Sequence, residues 1–426
     1  MANCHKLFLK FNDLIALNSE REKTLRKSRD DVRDRIRKYF RDKDNGFFPR
    51  FHGQGSFMMK TIIEPLDGEF DIDDGIYFQV EAEPSQAVST FHRWIDEAVN
   101  GQTKKNPMDK QTCVRLIYAR DYHLDLPIYY VIEGQTPYLA HGSKGWIQSD
   151  PREFIKWFNG QADNKSQRKQ LKRIVRYLKA WSDYRKSRGS KLPSGLIFSI
   201  LAANNIVFDA RDDVALYQTL KNIKSKLDQY FVCYRPTTPV YENLLEECSK
   251  TNKEYFLSQL DSLIQSAEKA LNKNTNLADA CKAWQRHFGN VRFPFESEEF
   301  IEDYFQIDIR YNLKIDCLVL QKGFRPHSLT EMIVSRLPLI RGKSLKFHIV
   351  NCNVPKPFQV KWKVRNVGEE AIKRNQIRGQ ILNDGGNNEK IESSDFHGAH
   401  FVECYIIKNN ICVARDRINV PIKLSR

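Results

Sequence analysis

The absences in this sequence narrow its reading first. Nine cysteines are scattered through 426 residues, an odd number with no CxxC pair among them. Neither a disulfide framework nor a structural zinc site is therefore indicated. No GxxxxGK[ST] loop is present, which removes the P-loop nucleotide-binding classes. The opening MANCHKLFLKFNDL lacks a long apolar core and a small-residue cleavage site, so it does not read as a secretory signal. The longest mostly apolar stretch, residues 195–203, is too short to span a bilayer. There is no internal repeat and no low-complexity tract. A cytoplasmic protein without a membrane partner is the expectation.

The remaining composition is that of a folded chain, with 41% hydrophobic and 28% charged residues, and its length suffices for two or three domains. Lys and Arg number 68 against 53 Asp and Glu, a surplus of 15 that suits an anionic partner without choosing among nucleotide, nucleic acid and acidic membrane.

Three regions differ in periodicity. Residues 19–43 carry Leu25, Val32, Ile36, Tyr39 and Phe40 at helical spacing, and Asn45-Gly46 ends the pattern. Strand-like segments follow at 75–80, 114–119 and 123–131, with a helix over 84–100. From 151 to 290 the chain reads as mainly helical; one helix bears the apolar stripe Leu171, Ile174, Val175 and Leu178. Beyond about 300 it alternates as short strands do, at 312–320, 344–350, 359–364, 376–382 and 400–407. Turns at Asp384-Gly385-Gly386-Asn387 and Asn409-Asn410 separate them, which predicts a small sandwich.

One constellation carries chemistry. His52-Gly53-Gln54-Gly55-Ser56-Phe57 precedes Phe70-Asp71-Ile72-Asp73-Asp74-Gly75. Asp71 and Asp73 are two apart, so on a strand they share a face. Paired carboxylates repel unless a cation lies between them, and a hard divalent cation such as Mg²⁺ prefers oxygen ligands. Asp74 falls on the opposite face, and Glu69 stands further back in a supporting place. In Tyr122-His123-Leu124-Asp125-Leu126-Pro127 the two leucines face a core and turn Asp125 the other way. On a neighbouring strand Asp125 would complete a set of three acids able to hold two metals. Gly55 lets the backbone approach a phosphate, and Ser56 adds a hydroxyl.

These residues resemble the GS…DxD…D signature of the DNA polymerase β-like nucleotidyltransferases. GQGSF…EFDIDDGIYF, Lys110-Gln111-Thr112-Cys113-Val114-Arg115, HLDLP, Trp146-Ile147-Gln148-Ser149-Asp150-Pro151 and Tyr177-Leu178-Lys179-Ala180-Trp181 are similar, in order, to segments of bacterial cGAS/DncV-like nucleotidyltransferases, or CD-NTases. The segments Val360-Lys361-Trp362-Lys363-Val364-Arg365-Asn366-Val367-Gly368, Arg378-Gly379 and Phe396-His397-Gly398-Ala399-His400-Phe401 resemble the AGS-C domain, a proposed sensor.

The resemblance implies an α+β fold: a catalytic lobe over 1–165, a helical lobe like that of oligoadenylate synthases over 166–298, and a β-rich C-terminal domain over 299–426. It implies Asp71, Asp73 and Asp125 as catalytic and metal-binding, with two Mg²⁺ ions or Mn²⁺ in their place. It implies Gln54, Gly55, Ser56, Lys179 and Ser194 as nucleotide-binding. ATP and GTP as substrates, a cyclic di- or oligonucleotide product, a separate effector protein reached through that product, and a role in antiphage (CBASS-type) defence follow from it, as does a regulatory ligand at the C-terminal domain. The carboxylates alone leave open a linear oligonucleotide synthase or an RNA-tailing enzyme. His397 and His400 have no evident third ligand and read as turn or ligand-contact residues; Trp362 reads as core.

Overall fold

The computed structural model describes residues 2–66, 68, 70–118, 122–189, 192–290, 292–295, 298–374 and 376–423. Contacts divide the chain into two units, Met1–Arg292 and Phe293–Arg426.

The first unit is built on an eight-stranded mixed sheet. Its long strand, Phe70–Val80, pairs antiparallel with Pro49–Gly53 on one side and parallel with Tyr122–Leu126 and Ile128–Ile132 on the other. The expected single strand over 123–131 is thus two. Pro127, which has no N–H to give the ladder, interrupts it. The register is the same on both sides of the break, Asp73 opposite Asp125 and Ile76 opposite Ile128. The Ser19–Lys43 helix starts where the Asn18 side chain accepts the Arg21 N–H (2.8 Å) and stops at Asp44, in the left-handed region at φ 44°. Its buried face, Leu25, Val32, Ile36 and Phe40, joins Ile72, Ile76 and Phe78 of the sheet and Phe91 and Ile95 of the Val88–Val99 helix in one core.

Around this sheet the same unit carries the helices Pro151–Gly160, Lys165–Lys186, Gly195–Asn205, Asp212–Gln229, Lys250–Leu271 and Leu277–Phe288. Leu171, Ile174, Val175 and Leu178 are buried, as their spacing predicts. A first helix, His5–Ile15, inserts Phe8 and Phe11 against Tyr177 and Phe288. The Lys165–Lys186 helix is pinned by buried Asp212, which accepts from Arg173 Nε (2.6 Å), Gln170 Nε2 (2.8 Å) and the Tyr177 hydroxyl (2.9 Å).

The second unit holds a four-stranded and a six-stranded sheet that share one apolar core, including Cys317, Phe347, Trp362, Cys404 and Ile406. Trp362 is core, and its Nε1–H donates to Asp384 (2.9 Å). Strands Gly398–Lys408 and Ile411–Lys423 form a hairpin whose two turn residues, Asn409 and Asn410, both have positive φ, the tight turn that matches strand twist. Neither Ile411–Lys423 nor Glu389–Ser393 was expected as a strand. His400 is buried; its Nδ1 accepts the Val367 N–H (3.0 Å) and its Nε2 faces the Phe396 carbonyl (3.2 Å), so the ring is a scaffold piece. No helix among the described residues is long and apolar enough to cross a membrane.

Candidate active site

The parallel pairing of Phe70–Val80 with Tyr122–Leu126 puts Asp73 directly beside Asp125 and Asp71 beside His123. Asp71 is exposed, Asp73 half-buried and Asp125 buried. Asp74, on the opposite face, is fully buried and clasped by Arg33 through Nε (2.7 Å) and Nη2 (2.5 Å). Its charge is therefore compensated within the fold, whereas at Asp73 Arg115 and Lys179 are outweighed. Burial first, then the neighbouring Asp125 and Asp71, push the Asp73 carboxyl up to about 7. Glu69 lies outside the described residues.

Arg115, from the adjacent Val114–Tyr118 strand, is the cation that holds the acids together. It donates to Asp125 through Nε (2.7 Å) and Nη2 (2.8 Å), and its Nη2 lies 3.1 Å from Asp71. The His123 ring nitrogen is also 3.1 Å from Asp71. In this arrangement no group of three His, Cys, Asp or Glu side chains among the described residues is gathered closely enough to grip a metal. The donor set nevertheless suits a hard cation: three carboxylates at one strand pair, one of them, Asp73, pushed up to about 7 by burial and then by the other two. The residues fit the ions in chemistry, with Asp125 having to leave the clasp of Arg115.

Beside Asp73 the chain makes the turn that leads into the short helix Gly55–Met59. Gly55 has φ +61°, and a Cβ there would fall 2.0 Å from Asp73 Oδ2, so only glycine allows this contact. The Gln54 N–H donates to the Asp73 carbonyl (2.9 Å). The Gln54 side chain is turned inward: its Nε2 donates to the Tyr77 hydroxyl (2.7 Å) and its Oε1 accepts from Tyr129 (3.2 Å). Those two rings are stacked 4.5 Å apart at register-paired positions. Gln54 thus anchors the turn, and its amide is engaged within the protein.

These parts open on a cavity of about 500 Å³, within the range of small-molecule sites. Gln54, Gly55, Ser56, Asp71, Asp73 and Lys179 line it; Asp125 and Ser194 do not, although Gly195, Leu196 and Ser199 do. Lys179 projects from the Lys165–Lys186 helix and donates to the Thr61 carbonyl (3.1 Å). Burial, then the nearby Arg176, lower its ammonium to about 7 against the opposing pull of Asp73. A Cβ on Gly195 would press on Lys179 Cε at 2.9 Å, so this glycine makes room for the lysine. Ser194 caps the Gly195–Asn205 helix without a side-chain capping bond.

Reading the sequence for site residues missed Arg115, His123 and the wall formed by Arg235, Thr237 and Thr238. Arg115 was legible in principle, since a lone cation on the strand next to a strand-borne acid has few other partners. The Arg235–Thr238 segment carries no pattern that marks it.

Comparison with known proteins gives a consistent result. Residues 49–129 match the family described as cyclic GMP-AMP synthase DncV-like, nucleotidyltransferase domain. Residues 295–423 match the adenylyl/guanylyl and SMODS C-terminal sensor domain, AGS-C. A cyclic GMP-AMP synthase of Escherichia albertii is 27% identical over 394 residues, 88% of this chain and 85% of that protein. A cyclic GMP-AMP synthase of Vibrio cholerae is 28% identical over 314 residues, 59% of this chain and 69% of its own length. The crystal structure of Vibrio cholerae DncV cyclic AMP-GMP synthase superposes with a TM-score of 0.60 at 22% identity, covering 69% of this chain and 98% of that one. The same enzyme in complex with the linear intermediate pppA(3′,5′)pG gives 0.58 at 22% identity, over 68% and 96%. At these identities the structures establish a shared fold.

Proposed function

This chain is a cGAS/DncV-like nucleotidyltransferase with a C-terminal AGS-C domain, and from that premise we propose that it joins ATP and GTP into a cyclic dinucleotide of the cyclic GMP-AMP kind. The observation that carries this reading is the in-register pair Asp73–Asp125, with Asp71 on the same face, at the edge of a 500 Å³ cavity that also presents Gly55, Ser56 and Lys179. The curated relatives matched over most of their length make such products.

In this reading the turn at Gly55-Ser56 receives the donor triphosphate, with the Ser56 hydroxyl and the Lys179 ammonium on its phosphate oxygens. Lys179 gains a full positive charge as phosphate approaches, because an anion offsets the burial that lowers its proton affinity. Asp71, Asp73 and Asp125 would hold two Mg²⁺ ions, which when bound neutralise triphosphate charge and lower the proton affinity of a ribose hydroxyl. Asp125, once released from Arg115, would take the proton from that hydroxyl. The hydroxyl oxygen attacks the α-phosphorus, pyrophosphate leaves, and a second transfer in the same pocket closes the ring. Most of the acceleration comes from placing two nucleotides in line in a charged cleft. A role in phage defence, through an effector that responds to the product, belongs to the same proposal.

The test is the product. Full-length protein incubated with α-labelled ATP and GTP and Mg²⁺ should give a phosphatase-resistant species with the mass of a cyclic dinucleotide. A product from which phosphatase strips terminal phosphates to leave the mass of a linear dinucleotide, or a ladder of linear oligomers, would replace the cyclase reading by the linear one.

A further inference from the structure

The second unit contains a cavity of about 300 Å³, whose lining comes from both of its sheets. Its floor is apolar, with Leu345 and Phe347 from one sheet and Val364 and Val402 from the other. Its mouth is closed on one side by a single charged pair. Arg378, at the start of the Arg378–Asn383 strand, donates to Glu392 of the Glu389–Ser393 strand through both terminal nitrogens, Nη2 at 3.0 Å.

The backbone is bent to make this pair. Arg378 has φ +60°, a left-handed conformation disfavoured for a side-chain-bearing residue, and Gly379 follows at φ +115°. Their strand meets Gln359–Arg365 across a register shift between Lys363 and Arg365. A second device seats the opposite wall. A Cβ on Gly398 would meet the Val367 carbonyl at 2.3 Å and His400 Cε1 at 2.7 Å, so glycine there lets His400 pack in. Both ring nitrogens of His400 are then committed to backbone groups, and the polar lining of the cavity is Arg378 and Glu392 together with Asn366, Gln376, Ser393 and Asp395.

We propose that this cavity is a binding site for one uncharged, planar heteroaromatic molecule with a guanine-like hydrogen-bonding edge. The volume lies at the small end of ligand sites, which admits one bicyclic ring system and excludes a dinucleotide. The floor and the rings of Phe347, Phe396 and Phe401 favour a flat apolar face. Glu392 spends the inward lone pair of each oxygen on Arg378 and keeps one outward lone pair beside the guanidinium, so it can accept one N–H group there. Beside it the guanidinium offers donors to a carbonyl oxygen, which is the order of groups along a guanine edge. Charge selects in the same direction. Arg378 and Glu392 cancel, and Lys390 lies 3.5 Å from Glu392, while Asp395 also lines the cavity, so no excess positive charge awaits a polyphosphate. The competing account is that the pair only clasps the sandwich edge.

The experiment uses full-length protein and guanosine, which has no phosphate to engage the catalytic cleft, with cytidine as control. Calorimetric titration and thermal shift are measured on wild type, Glu392→Gln, Arg378→Gly and Lys179→Ala. Arg378→Gly places the residue that φ +60° favours, so the unliganded fold should persist without the guanidinium. Guanosine is expected to bind and raise the midpoint, cytidine to do neither. Glu392→Gln and Arg378→Gly should each weaken guanosine by about tenfold or more, the loss of a hydrogen bond to a charged group. Lys179→Ala should leave that binding unchanged. Absence of guanosine binding at millimolar concentration, wild-type affinity in a folded Glu392→Gln or Arg378→Gly protein, or loss of binding in Lys179→Ala would each overturn the proposal.

Discussion

Asp73 in the first unit and Glu403 in the second are both carboxylates on strands flanked by others, and their surroundings push them in opposite directions. Burial acts on both to favour the neutral acid. Around Glu403 it is outweighed by Lys363 (3.1 Å) and Arg417, with a hydrogen bond from Tyr405 (2.8 Å), and the carboxyl falls to about 2. Lys363 is itself almost wholly buried, lies 2.5 Å from Glu298, and has the Phe300 ring 4.6 Å away. Around Asp73 burial, reinforced by two more carboxylates, outweighs Arg115 and Lys179, and the group rises to about 7. The first arrangement is a closed account of charge within the fold. The second leaves three carboxylates only partly offset by Arg115 and Lys179, and such an imbalance marks a place for a ligand.

Breaking each arrangement should therefore give different kinds of failure. The largest effect is expected from Asp71→Asn with Asp73→Asn. Nucleotide transfer should fall by about 10³-fold or more, several kcal/mol of lost charge stabilisation, while circular dichroism stays that of the wild type. Retained turnover with Mg²⁺ would show that these acids are not the metal site. Lys363→Met should do the reverse. It removes the cation that Glu298 and Glu403 share, leaving them Arg365 and Arg417, and should cost about 1.5–3 kcal/mol of second-unit stability, measured by urea unfolding. A change below about 1 kcal/mol would mean that water reaches the cluster.

Proton linkage sharpens the contrast. Glu403 has a folded value below its unfolded one, so its contribution is complete above pH 4.5 and is lost as pH falls toward 2. Asp73 has a folded value above its unfolded one, so metal-free stability drops as pH rises from about 4 to about 7 and then levels. Asp73→Asn should accordingly raise the metal-free thermal midpoint at pH 8, and do so less at pH 5. Equal shifts at both pH values would contradict the environment described for Asp73.

A smaller effect is expected at Arg115. Arg115→Met removes the cation that clasps Asp125 and touches Asp71, so the metal-free protein should lose about 1–3 kcal/mol and gain more from added Mn²⁺ than the wild type does. Thermal shift against Mn²⁺ concentration reads both. An unchanged Mn²⁺ response would mean that Arg115 does not compete with the ion.

The sequence made some of this legible and hid the rest for identifiable reasons. The Ser19–Lys43 helix and the Leu171–Leu178 stripe were readable because each has one apolar face at helical spacing. The shared face of Asp71 and Asp73 followed from strand period alone. The Ile411–Lys423 strand was hidden because Arg415-Asp416-Arg417 and Pro421 read as loop, although its partner Gly398–Lys408 supplies the pairing. Glu389–Ser393 has one aliphatic residue, Ile391, and is exposed there. In the site, the inward turn of Gln54 depends on Tyr77 and Tyr129 meeting across two strands, a register that local pattern does not encode. The grip of Arg115 on Asp125 likewise exists only once their strands pair.

The most direct test of the central contrast is calorimetric titration of nonhydrolysable GTP into wild-type and Asp73→Asn protein, with and without Mg²⁺. The account predicts that Mg²⁺ strengthens binding to the wild type and leaves binding to Asp73→Asn unchanged. Equal Mg²⁺ enhancement in the two proteins would contradict it.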